Sequence, residues 1–180
     1  MVKIRIVPLT RWSAAGVARL WRRCFPAESL HAHPAWHPWL GPMTAARIER
    51  RILARKAFDP AGSFVVLSKG RVIGFAQAAF PPDGPADRSA RTPGSGYLCA
   101  LAVDPRFRRQ GIGSLLLARA ERYLARGGAR SVLTGFEGNP IALLGGVPMN
   151  DQAYPFFLNR GFRSVEQGQL QVMTQDTTRA

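Results

Sequence analysis

The stretch from Gly96 to Leu124, GYLCALAVDPRFRRQGIGSLLLARAERYL, limits the fold more than any other part of this 180-residue chain. A mostly apolar run, Tyr97 to Val103, ends at Asp104-Pro105. After a short basic and polar connection, Gly111-Ile112-Gly113-Ser114 opens a helical pattern. That pattern sets Leu116, Leu117, Ala120, Tyr123 and Leu124 on one stripe, with Arg119 and Arg122 beside it. A strand therefore feeds a glycine-containing loop and then the N-terminus of a long helix. The first amides of such a helix have no intrahelical partner, and their dipoles point at whatever precedes them. Glycines at this place remove the side chains that would hold a phosphate away. The stretch reads as an anion site.

Spacing chooses among the ligands that use this geometry. No Gly-x-x-x-x-Gly-Lys-Ser/Thr run occurs, which argues against a nucleoside-triphosphate loop. The Gly-x-Gly pair also lacks the third glycine of a dinucleotide fingerprint. What stands is Arg108-Arg109-Gln110-Gly111-Ile112-Gly113 directly after a Val103-Asp104-Pro105 strand exit. This segment resembles the Gln/Arg-x-x-Gly-x-Gly/Ala signature of the GCN5-related N-acetyltransferase superfamily. A second segment is similar to the family's Asn-x-x-Ala-x-x-x-Tyr-x-x-x-Gly-Phe pattern, through Asn150, Ala153, Gly161 and Phe162. It departs at the tyrosine, which is Phe157 here.

The resemblance implies an α/β (α+β) fold: a single acyl-CoA N-acyltransferase domain over residues 1–174, with 175–180 frayed. Its central sheet would be mixed and mostly antiparallel, with helices on both faces and splayed central parallel strands. It implies acetyl-CoA as cofactor and direct attack of an unprotonated amine on the thioester carbonyl. Pantetheine would pair with backbone groups of Leu101 and Val103, and amides between Arg109 and Ser114 would hold the pyrophosphate. A backbone N–H near Ala102 or Val103 would stabilise the oxygen as its charge develops. Asn150 would orient the pantetheine arm or start its own helix.

Two proton transfers need partners. The departing thiolate is protonated in the family by the tyrosine that Phe157 replaces, and phenylalanine has no proton to give. Tyr154, three residues earlier, is the candidate acid, with solvent as the alternative. The incoming amine needs a base. Tyr97 to Val103 offers no carboxylate, so Glu137 after the next strand is the first candidate, and Glu28 in the loop after the first helix is the second. The same loop, PAESLHAHPAWHPWLGPM, supplies Trp36, Trp39 and His37 as acceptor-groove candidates. His31, His33 and His37 lack a nearby Cys ligand and a regular helical face, so no zinc site is expected. The alternative to an enzyme is a non-catalytic coenzyme A-binding sensor or regulatory protein on the same fold.

The rest of the chain supports that architecture. Residues 2–9 read as a strand, and Thr10 or Ser13 caps a helix on which Val17, Leu20, Trp21 and Cys24 share a face. Thr44 caps a second helix with Ile48 and Ile52 inside. Residues 63–68 and 71–80 form a hairpin about Lys69-Gly70, with Gly74 marking a bulge or a close approach. Residues 81–95 read as a loop, and Gly127-Gly128 ends the central helix before a strand over 130–136. Asn150 or Asp151 caps a last helix through Leu158, with Gly161 beyond it. Residues 162–165 and 168–174 form a final hairpin turning at Glu166-Gln167.

The formal charge of +14 invites a nucleic-acid reading, yet only Lys3, Lys56 and Lys69 among 25 basic residues are lysines, and the arginines are scattered over every element. General polyanion affinity at low salt is expected, dedicated nucleic-acid binding is not, and a basic surface helps to attract coenzyme A. Cys24 and Cys99 form no close motif and read as buried thiols in a reducing compartment. With no secretory core and no apolar run of 18 residues, a cytoplasmic location without membrane contact is expected. The partner is an amine-bearing acceptor, and the chain is a monomer or a homodimer.

Overall fold

The computed structural model describes residues 3–25, 43–55, 58–80, 94–134, 153–167 and 170–176, with the backbone alone described from residue 165 onward. Its most local determinant is the turn at Lys69-Gly70. Both residues have positive φ, 47° and 75°, the mirror-image geometry whose twist matches that of paired strands. The turn joins β2 (Ser63–Ser68) to β3 (Arg71–Ala79). β1 (Arg5–Pro8) pairs antiparallel with β2, and β4 (Ser95–Val103) antiparallel with β3. β5 (Ser131–Thr134) lies parallel to β4 and antiparallel to β7 (Leu170–Asp176), which also pairs with β6 (Arg163–Gln167). The strand order is β1-β2-β3-β4-β5-β7-β6. This is the mixed, mostly antiparallel sheet that the sequence implied.

Helices cover both faces. α1 (Arg11–Cys24) follows Thr10, whose N–H donates to Ser13 Oγ at 3.0 Å while the Ser13 hydroxyl donates to the Thr10 carbonyl. It buries Val17, Leu20 and Trp21 against Val65, Val72, Phe75, Ala100 and Ala102. α2 (Ala45–Ile48) is capped by Thr44, whose Oγ1 accepts from the Arg47 N–H at 3.2 Å. It runs into a π turn, Glu49–Leu53, and Ile48 and Ile52 complete the same cluster. On the opposite face, α3 (Ile112–Arg126) packs Leu116, Leu117, Ala120 and Leu124 on Phe64, Val66, Ile73, Ala76, Leu98 and Val132. The short α4 (Ala153–Leu158) adds Phe157 to that cluster, joined by Phe162 just beyond. No helix among the described residues is long and apolar enough to cross a membrane.

Two irregularities shape the middle of the sheet. Gly74 pairs with Val66 beside a register shift, and a Cβ there would lie 3.1 Å from both Leu116 Cδ1 and Val66 Cγ2. The glycine thus marks a bulge and a close approach together. A second shift, between Gln77 and Ala78, pairs Gln77 with Ala100 and Ala78 with Leu98, leaving Cys99 as the extra residue. Such bulges bend a strand. Among the described residues the parallel β4–β5 ladder covers Ser95 to Leu98, and β4 continues to Val103.

The C-terminal hairpin corrects the sequence reading. Glu166 and Gln167 stay in the ladder, opposite Gln171 and Leu170, so the turn does not fall on them. β7 reaches Asp176, opposite Ser131, so Gln175 and Asp176 are held in the sheet rather than frayed. Pairing with the buried strand β5 supplies their backbone groups with partners, which composition could not show.

Candidate active site

The site is built where β4 leaves the sheet. The Asp104 N–H donates to the Ile73 carbonyl at 2.9 Å. Backbone groups alternate sides along a strand, so Ala102 also addresses β3, while Leu101 and Val103 turn their N–H and C=O to the other side. The Val103 carbonyl accepts from Arg108 Nε at 3.1 Å and from the Cys24 thiol at 3.3 Å.

Asp104 fixes the exit. Its side chain is 2% exposed and lies 2.8 Å from Arg23 Nε, with Arg106 as a second ion partner. It caps a 3-10 turn, Pro105–Phe107, by accepting from the Arg106 N–H at 3.1 Å. Burial pushes this carboxyl up, but hydrogen bonds from the Arg106 side chain and backbone and the charges of Arg23 and Arg106 outweigh it and hold the carboxyl below its ordinary range. Two left-handed residues follow, Arg109 at φ 60° and Gly111 at φ 80°. Alternation into the left-handed region curls successive amides into an anion-binding concavity. Arg109 holds a conformation that side chains disfavour, a strain that clusters at functional sites.

Gly111 is the N-cap of α3, and the next two residues have opposite fates. Ile112 is buried in the core and pins the first turn. Gly113 faces the cleft, where a Cβ would sit 3.3 Å from Phe156 Cε2 and 3.8 Å from Val103 Cγ2. The first turn of α3 therefore lies between the end of β4 and α4. On α4, Phe157 meets Phe156 and Phe162 edge-on, at centroid distances of 5.3 and 5.1 Å, and is directed into the core. Phe156, about 100° round the helix, faces the cleft. The Arg160 guanidinium stacks 3.8 Å over the Phe156 ring, donates to the Phe156 carbonyl at 3.0 Å and hydrogen-bonds Ser114 Oγ.

The resulting cleft has a volume of about 740 Å³. Of the residues proposed from sequence, Leu101, Ala102, Val103, Arg108, Arg109, Gly111, Gly113 and Ser114 share its wall. Gln110 does not join them: its amide turns back toward the Arg106 carbonyl at 3.5 Å. The Ile112 side chain is core, leaving only its amide for the loop. Ala102 also lines the cleft, but its backbone addresses β3 and its side chain belongs to the buried cluster beneath α1. Phe157 is a core residue, and Tyr154 shares its face at the i, i+3 spacing and packs on the same cluster, away from the lining. Glu28, Trp36, His37, Trp39, Glu137 and Asn150 lie outside the described residues.

Sequence reasoning missed Cys24, Phe25, Phe156, Asn159 and Arg160 as lining residues. For Phe156 the signal was the Phe157–Phe162 pair, which sets the rotation of α4. For Cys24 there was no local signal, because its contact with Val103 spans 79 residues. Cys24 is half-buried on the cleft wall rather than in the core. Burial pushes its thiol up to about 11 against the opposing charge of Arg108, and burial pushes the Cys99 thiol up to about 12. Neither is a thiolate nucleophile near neutral pH. Among the described lining residues the only charges are the guanidiniums of Arg108, Arg109 and Arg160.

A strand exit, a left-handed glycine turn and an open first helical turn define a recognisable framework. The profile of the acetyltransferase (GNAT) family matches residues 15–144. The chain belongs to this family. A mycothiol acetyltransferase from Amycolatopsis mediterranei is 32% identical over 109 residues, which make up 61% of this chain and 35% of that protein. The chain thus spans about a third of the length of that curated relative. The paiA N-acetyltransferase of Thermoplasma acidophilum, solved in complex with coenzyme A, superposes with a TM-score of 0.71 at 14% identity, covering 97% of this chain and 99% of the other. The ribosomal-protein-S18-alanine N-acetyltransferase of Escherichia coli gives 0.62 at 14% identity, covering 97% and 94%. At these identities the two structures establish that the GNAT fold is shared.

Proposed function

We propose that this GNAT acetyltransferase passes the acetyl group of acetyl-CoA directly to a primary amine, on a small molecule or on a peptide or protein, within a ternary complex. The observation that carries the reading is the turn from Arg109 to Gly113, with left-handed Arg109 and Gly111 leading into a helix whose second residue leaves the cleft wall open. Its donor set suits a diphosphate: amides at a helix start, flanked by guanidiniums, with no carboxylate among the described lining residues. The neighbour solved with coenzyme A supports the same ligand.

Bound acetyl-CoA supplies an activated acyl group, and the chain does the rest by positioning. The amine nitrogen bonds to the acyl carbon as the carbon–sulfur bond breaks; the amine gives up a proton and the sulfur takes one. The Val103 N–H turns away from β3 and is the group we assign to stabilise the acyl oxygen as charge grows on it. The Val103 carbonyl already accepts two donors, filling both lone pairs, so Leu101 is the better backbone partner for pantetheine. Solvent is the donor we assign to the sulfur ahead of Tyr154, which is half-buried and stands outside the lining residues. Glu137 takes the amine proton directly or through water, with Glu28 as the second choice. The names of the relatives cover both a small-molecule and a protein acceptor, so the acceptor is assigned only as an amine.

The non-catalytic sensor is favoured by one observation: the described cleft wall carries no carboxylate, imidazole or phenol. Thiol release from acetyl-CoA, with mass spectrometry of a panel of small amines and amino-terminal peptides, separates the two readings. An acetylated amine whose formation slows in Glu137→Gln supports transfer. Tight coenzyme A binding with no product across the panel would replace transfer by sensing.

A further inference from the structure

Arg160 sits where an arginine is electrostatically misplaced. The N-terminus of a helix carries partial positive charge, which disfavours a cation. The first turn of α3 has no acidic residue, and Arg108 and Arg109 already line the same cleft. A third guanidinium is nevertheless fixed there by the Phe156 ring, the Phe156 carbonyl and the hydroxyl of Ser114, the third residue of α3. Glu121, two turns along α3, feels its charge and lies outside the lining. Convergence of like charges on an open helix start is stabilised by an anion between them. A guanidinium held by stacking and hydrogen bonds also loses little freedom when it adds an oxyanion contact.

We propose that Arg160 is a coenzyme-binding residue whose guanidinium, held over Phe156 and against Ser114, grips the diphosphate from the α4 side, opposite Arg108 and Arg109. The assignment rests on the coenzyme A reading above and extends it to a residue outside the glycine loop. The diphosphate, rather than the 3′-phosphate, is the partner because Ser114 belongs to the helical turn whose amides form the anion concavity.

The test compares wild type, Arg160→Met and Arg160→Lys with three ligands. Coenzyme A and dephospho-coenzyme A are followed by calorimetry, and pantetheine by amide NMR shifts, which read millimolar affinities. Arg160→Met should weaken both phosphate-bearing ligands to the same degree, about tenfold or more for a lost charge-assisted contact, and leave pantetheine unchanged. Arg160→Lys keeps the charge and the stem, so it folds even where methionine does not, and should lose a smaller factor on the same two ligands. Equal loss on all three ligands would make Arg160 a structural staple and overturn the proposal. Loss confined to coenzyme A would move the contact to the 3′-phosphate and overturn the diphosphate assignment, and no loss would overturn both. Failure of folded wild type to bind any of the three would instead refute the coenzyme A reading itself.

Discussion

Gly113→Ala separates the cleft from the fold. Gly113 is the second residue of α3, where alanine is the better helix former by up to about 1 kcal/mol. The added methyl would lie 3.3 and 3.5 Å from the Phe156 ring and 3.8 Å from Val103 Cγ2. The first contact is tight by a few tenths of an ångström, and the partly exposed ring can tilt to relieve it. Propensity and contact therefore offset each other, and stability should stay within about 1 kcal/mol of wild type, a shift of at most about 2–4 °C in Tm. The methyl nevertheless stands between β4 and α4, over the amides assigned to the diphosphate. Acetyl-CoA affinity should fall about tenfold or more, equivalent to about 1.4 kcal/mol. Gly111→Ala gives the reverse contrast: a Cβ there has room but sits at φ 80°, costing about 1–2 kcal/mol of backbone strain. Calorimetry beside thermal melting reads both quantities. A folded Gly113→Ala protein that binds acetyl-CoA as wild type does would refute the placement of the ligand.

Further outcomes follow from the same geometry. Phe157→Ala empties a core position and should cost about 3–5 kcal/mol in urea unfolding, whereas Phe156→Ala should cost less stability and more coenzyme affinity; the opposite ranking would contradict the rotation of α4. Asp104→Asn should cost about 2 kcal/mol, less than a fully buried pair because Arg23 is 30% exposed. Since the Asp104 carboxyl is held below its ordinary value of 3.8, its stabilisation is complete above that pH and is lost as pH falls through the lower folded value. The difference between wild type and Asp104→Asn should therefore shrink in acid unfolding below about pH 4, and a constant difference would exclude the charge as its origin. Gln77 is 3% exposed and its Oε1 has no hydrogen-bond partner among the described residues. Gln77→Met should be neutral or stabilising by about 1 kcal/mol, and a clear loss of stability would show that the oxygen is engaged.

The parts legible in the sequence are those whose cause is local. The Lys69-Gly70 turn, the stripe of α3 and the run from strand through glycines to helix each follow from spacing within about one element. The sites that escaped depend on distant contacts. Phe156 and Phe157 are adjacent and chemically alike, and only the docking of Phe162 decides which one faces the cleft. Cys24 reaches the wall because Arg23, one residue before it, pairs with Asp104 at the far end of β4. Arg160 is one more scattered arginine in the sequence; stacking on Phe156 and contact with Ser114 give it a place. The final hairpin slipped in the sequence reading because a polar pair, Glu166-Gln167, resembles a turn when its strand partner is not in view.

The most direct test of the account is calorimetric titration of the wild-type protein with acetyl-CoA at low and high salt. The account predicts one molecule bound per chain, weakened but still specific at high salt, since amides and pantetheine contacts persist when surface charge is screened. A folded protein that binds only at low salt, without defined stoichiometry, would show a basic surface collecting polyanions and would contradict an acetyl-CoA site at the start of α3.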